Sequence, residues 1–68
     1  MWIVAQDRKT ILHTYKVYAE GNKILAFNNY EYCLIGEFKN EDQAKEELKR
    51  ITHSLILGTK VYEVNQAD

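Results

Sequence analysis

Helical periodicity occurs once in this chain, between Asn40 and Gly58, and the runs on either side of it are short and rich in β-branched and aromatic residues. A lone helix covers one face of a sheet and no more, so this feature sets the problem the fold must solve. Asn40 is placed to cap the helix, Gln43 stands three residues on as in a capping box, and Glu41 and Asp42 suit the positive end of the dipole. The helix is expected to begin at Glu41. Ala44, Leu48, Ile51 and Leu55 fall within an arc of about 60° and predict the face that packs on the sheet. Glu46 and Glu47 read as solvated neighbours paired locally with Arg50. Leu57 followed by Gly58 marks the stop, because glycine accepts the left-handed conformation beyond a last turn.

The remaining segments read as strands over residues 2–5, 11–19, 23–27, 30–38 and 60–64, with residues 65–68 expected to fray. Residues 7–10 make a polar turn, Gly21-Asn22 has the composition of a two-residue type II′ loop, and Asn28-Asn29 suits a second tight turn. These turns pair Glu20 with Lys23 and Phe27 with Tyr30. The predicted fold is α+β, a small antiparallel β-meander packed against one helix in the order β-β-β-β-α-β, with residues 1–68 as a single compact domain. A chain of 68 residues leaves no room for a second domain, and the scaling of surface with mass gives about 4,400 Å² for the folded molecule, so its core is thin.

Alternation sorts the meander into two faces. Tyr18, Leu25, Phe27, Tyr30, Tyr32, Leu34 and Phe38 share one, and their size predicts that the helix covers them. Val17, Ala19, Ile24, Ala26, Cys33 and Ile35 share the other, interrupted by Glu31 and Glu37, and require another cover. Ile56 and Leu57 lie off the helix stripe and add to this apolar surplus. A homodimer or a partner protein docking on these eight residues is the first expectation. Closure by residues 2–4 or by the final strand is the intramolecular alternative.

Composition excludes several function classes. Nine basic residues against ten acidic ones, a net charge of -1 and a pI near 6.1 lack the positive field that nucleic-acid binding needs. Nucleic acid is therefore not an expected partner, and basic residues interleave too closely with the helix acids for phosphate mimicry. A single cysteine forms no internal disulfide, and Cys33 within a strand reads as a small hydrophobe. His13 and His53 have no metal-ligand spacing, no carboxylate pair stands out, and the three glycines are too dispersed for a phosphate loop. No catalytic residue, metal or cofactor is expected. No apolar run is long enough to span a membrane, and the chain reads as a cytoplasmic protein.

The opening Met1-Trp2-Ile3-Val4-Ala5-Gln6-Asp7, followed by Lys9-Thr10-Ile11, resembles a group of short proteins from low-GC Gram-positive bacteria, their phages and mobile elements that begin MWIVSQD. Leu34-Ile35-Gly36-Glu37-Phe38, the helix segment Ala44-Lys45-Glu46 and Val61-Tyr62-Glu63 are similar to later parts of that group, so the likeness runs over nearly the whole chain. Ala5 departs from the group's serine. The resemblance implies a phage or mobile-element setting and brings no catalytic residue with it. Together these readings predict a non-enzymatic, homodimeric binding protein that occupies a host protein, with an anti-CRISPR or other anti-defence inhibitor as the specific form and Trp2, Tyr15 and Tyr62 as aromatic anchors. The alternative is a binder that sequesters a nucleotide signal at a dimer seam, using tyrosine stacking with Arg8, Lys9 or Lys16 on phosphate.

Overall fold

The computed structural model describes residues 1–67; Asp68, the end of the tail expected to fray, lies outside them. The elements run β1 (Trp2–Val4), β2 (Ile11–His13), β3 (Lys16–Glu20), β4 (Lys23–Asn28), β5 (Glu31–Glu37), α1 (Glu41–Ile56) and β6 (Val61–Glu63). β3, β4 and β5 form an antiparallel meander packed against α1, and the fold is α+β. A second small sheet has the order β2-β1-β6, with β1 antiparallel to β2 and parallel to β6. No helix among the described residues is long and apolar enough to cross a membrane.

Five strands precede the helix, because the run expected as one strand over residues 11–19 breaks at Thr14. Its buried hydroxyl lies 2.7 Å from the Phe27 carbonyl oxygen and accepts the Lys16 amide at 3.2 Å. That side chain satisfies backbone groups at a corner where the ladder cannot, so residues 11–13 join β1 while Lys16 onward joins the meander. The first hairpin pairs Glu20 with Lys23 as expected, with Gly21 at φ 60°. The second turns at Asn29 and Tyr30, so Phe27 faces Tyr32 instead of Tyr30. A slip of two residues leaves every side chain on its own face.

The helix starts at Glu41, with Asn40 Oδ1 accepting the Gln43 amide at 2.9 Å and Gln43 Oε1 reaching back to the Lys39 amide at 3.2 Å. It closes as a Schellman turn. The Thr59 amide donates to the Ser54 carbonyl and the Gly58 amide to that of Leu55, while Gly58 sits at φ 79°. The buried stripe is Ala44, Glu47 and Ile51 with Leu48 beside them, whereas Leu55 is exposed. Glu47 thus corrects the solvated reading of that position.

The two faces of the meander are the reverse of the expectation. Ile24, Ala26 and Ile35 are fully buried, and Val17, Ala19 and Cys33 pack half-buried against the same core, together with Ala44, Ile51, Ile3, Leu12 and Val64. Ile24, Ala26 and Ile35 are interior and offer no docking surface, and the side chains of Val17, Ala19 and Cys33 are turned to the same core. Both the helix and the terminal strands cover them, which is the closure raised as the alternative. Tyr18, Leu25, Phe27, Tyr30, Tyr32 and Leu34 face outward, and of the set expected to be core only Phe38 is buried. A bulge in β5 explains Phe38: Ile24 pairs with Gly36 and Leu25 with Leu34, so the extra residue Ile35 shifts the alternation that follows. The inner face is tightly packed at Gly36. A Cβ on Gly36 would sit 3.1 Å from both the Phe38 ring and a Val64 methyl. β1 likewise buries Ile3 but leaves Trp2 half-exposed, so only one of its faces is interior. The molecular surface is 4703 Å², close to the scaling estimate.

Gln6 joins the two sheets. Its amide donates to the Ile35 carbonyl at 2.8 Å, and its Oε1 accepts the Glu37 amide at 2.9 Å. The C-terminal segment is tied down as well. The Val64 amide reaches the Val4 carbonyl, Gln6 Nε2 the Asn65 carbonyl, and Gln66 Nε2 the Gln6 carbonyl, so Asn65 and Gln66 do not fray.

Candidate functional site: the open face of the meander

In a strand, every second side chain points to the same face, and the register places Lys16, Tyr18, Leu25, Phe27, Tyr32 and Leu34 together on the side away from the helix. Tyr32 and Leu34 are 51% and 50% exposed; Tyr15 at the corner and Tyr30 at the turn are 86% and 98% exposed. The rings form a connected set. Phe27 meets Tyr32 with centroids 5.0 Å apart, Tyr18 meets Tyr32 edge to face at 5.4 Å over β4, and Tyr15 meets Phe27 edge to face at 6.4 Å. Such pairs are worth about 0.5–1.5 kcal/mol each and hold the rings in place before any ligand arrives. The Lys16 ammonium lies 5.6 Å from the Tyr32 centroid and 5.9 Å from that of Tyr18. Glu20, Lys23 and Glu37 form one cross-strand row at the far end. The face offers ring surface, phenol hydroxyls and one ammonium set among the rings.

Ile56 and Leu57 are exposed at the C-terminal end of α1, away from the six residues with which they were grouped. Of the expected anchors, Tyr15 borders the open face, while Trp2 meets His13 in the other sheet in a tilted contact, with centroids 5.0 Å apart. Tyr62 is engaged inside the molecule. Its hydroxyl donates to Glu47 Oε2 at 2.8 Å, where the Asn65 amide also arrives at 3.0 Å; Asn65 Nδ2 and Arg50 reach Oε1 at 2.9 and 3.2 Å. Burial pushes the Glu47 carboxyl up, but the donors from Asn65, Tyr62 and Arg50 outweigh it and hold the group below its ordinary value. Burial, and then the bond to Glu47, raise the Tyr62 phenol. With its oxygens fully engaged, Glu47 acts as a tie between α1 and the C-terminal segment. A shallow groove of about 290 Å³ beside it is lined by Phe38, Asn40, Gln43 and Arg50 among others.

Cys33 is a free thiol half-buried against the core, and His13 and His53 lie on β2 and in the last turn of α1. Among the described residues no three His, Cys, Asp or Glu side chains gather closely enough to hold a metal ion. Sequence reasoning missed both the open face and the Glu47 tie. For the face, the available signal was chemical: three of its members are tyrosines, whose hydroxyls need partners if buried. For Glu47 it was angular, since position 47 borders the stripe at 44, 48 and 51. No family model, curated protein or solved structure matches this chain.

Proposed function

We propose that this chain is a non-enzymatic binding protein that lays the open face of its meander against a host protein and inhibits it, in the phage or mobile-element setting that its opening residues imply. A component of a bacterial defence system, such as a CRISPR effector, is the target class. One observation carries the reading: a set of rings already packed on one another stands on a sheet face that no layer covers among the described residues. Pre-ordered aromatics lose little conformational freedom on binding, which is why tyrosine is enriched among the residues that dominate interfaces. Leu34→Glu tests the reading without touching the interior. Protein captured from a Gram-positive host lysate should, once purified, form a stoichiometric complex with the wild-type chain and none with the Leu34→Glu variant at equal melting temperature. Equal binding by both would refute the assignment of the face.

The position of Lys16 over Tyr18 and Tyr32 favours a second reading, a site where a nucleotide base stacks while its phosphate meets the ammonium. It moves the nucleotide from the inner seam first expected to the outer face. A concentration-dependent rise in melting temperature with one member of a nucleotide panel would support it, and no response to any member would remove it.

A further inference from the structure

The longest uncovered strand edge in the molecule belongs to β3. Of the meander's two edges, that of β5 is bent by its bulge and engaged by Gln6 through Ile35 and Glu37. The edges of the other sheet, β2 and β6, are three residues long. β3 has five residues in regular register, with no proline and no bulge of the kind that shields an edge. The outward groups of β3 follow from the hairpins. A two-residue loop is closed by a hydrogen-bonded pair, here Glu20 with Lys23, so Tyr18 also bonds to β4 while the amides and carbonyls of Val17 and Ala19 point away. The second hairpin gives the same phase independently: Asn28 with Glu31 closes its loop, which turns the Phe27 and Leu25 backbone groups toward β3. Neither Val17 nor Ala19 has a backbone partner beyond the β3–β4 ladder among the described residues.

We infer that this edge takes a second copy of the chain, β3 pairing antiparallel with its twin about a two-fold axis at Tyr18. The charges select that occupant and that register. With Tyr18 facing Tyr18, Val17 and Ala19 exchange their free backbone bonds across the axis, and Lys16 of each protomer stands directly opposite Glu20 of the other. All three residues project from the open face. A groove of about 270 Å³ lies between the start of β3 and the helix, lined by Met1, Val17, Leu48, Ile51 and Leu55 among others. The axis is perpendicular to the sheet, so both helices fall on one side and both aromatic faces on the other. The result is a continuous six-stranded platform about 24 Å between its outer strands. This goes beyond the binding role proposed above and stands or falls separately from it.

Charge reversal in the full chain tests the pairing, read by sedimentation over protein concentration with melting temperature as the check on folding. Lys16→Glu and Glu20→Lys each set two like-charged pairs across the axis and should weaken the dimer by about tenfold or more. Mixing the two variants restores both opposite-charge pairs in a heterodimer, so the mixture should associate where neither component does alone. The K16E/E20K double variant should return to near wild-type affinity. Tyr18→Cys should crosslink chain to chain under mild oxidation, well above the background from Cys33, whichever reversal variants fold. A wild-type chain that stays monomeric at high concentration, reversals without effect, or a mixture no stronger than its components would overturn the inference. A monomer that still loses its partner on Leu34→Glu would fail here while leaving the proposed function standing.

Discussion

Replacing Glu47 by glutamine keeps the shape of the side chain and removes its charge, which isolates what the carboxylate does in the interior. Four donor contacts converge on it, from Tyr62, from the Asn65 amide and side chain, and from Arg50. The Arg50 contact is discounted because that side chain is largely exposed and its pairing is screened. The other three are charge-assisted bonds to a fully buried acceptor, each worth about 1.5–3 kcal/mol where the acceptor is ionised. Glutamine retains one accepting oxygen and turns an amide N–H₂ toward groups that donate. A loss of about 2 kcal/mol follows. For 68 residues at about 2.1 cal/mol/K each, 1 kcal/mol corresponds to about 7 °C, so the melting temperature should fall by about 14 °C near pH 7. The pH dependence supplies the sharper test. The folded value of Glu47 is depressed below 4.5, so its contribution is complete above 4.5 and is lost as pH falls through the folded value. The gap between wild type and Glu47→Gln, followed by calorimetry from about pH 7 down to about pH 3, should therefore narrow on the acid side. A gap that stays constant with pH would refute the claim that the ionised form holds the C-terminal segment.

Two further substitutions probe the layers. Ala26→Leu forces extra methylenes between meander and helix and should destabilise by about 1–3 kcal/mol in a chemical melt, whereas Leu34→Ser on the open face should cost less than about 1 kcal/mol. Asn40→Ala removes the acceptor for the Gln43 amide and should lower stability by about 1 kcal/mol, or about 7 °C by thermal melt.

What could be read from the sequence was local. The helix with its Asn40 cap and Gly58 stop, the Gly21-Asn22 hairpin and the division of the meander into two faces as far as Leu34 rest on neighbouring residues, and the structure has them; beyond the bulge Glu37 and Phe38 change sides. Which face lay inside was a question of layer spacing, and size pointed the wrong way. Ala26, Gly36 and Ala44 are buried in the interior beside Ile24 and Ile35, and at Gly36 even a Cβ would press on Phe38 and Val64, so side-chain size does not mark the inner face. The break at Thr14 depends on bonds to residues on two strands, and the Glu47 tie on Asn65, eighteen positions away. Neither partner is marked by spacing. The bulge at Ile35 placed Phe38 inside, although the residues that share its alternation in the sequence lie outside.

The inner face satisfies its own hydrophobic demand. Helix, β1 and β6 together close over isoleucine and alanine, and Gln6 seals the join between the sheets. Folding therefore leaves the largest side chains of the meander on the side where they contribute least to stability. There they pack on one another rather than scatter, which is the observation the proposed binding role rests on. The edge beside it adds direction. Lys16 and Glu20 occupy the two ends of β3, so antiparallel pairing with a twin satisfies both, whereas a parallel partner would set like charge against like. In the proposed dimer, the strand that contributes Lys16 and Tyr18 to the open face is also the one that pairs with the twin.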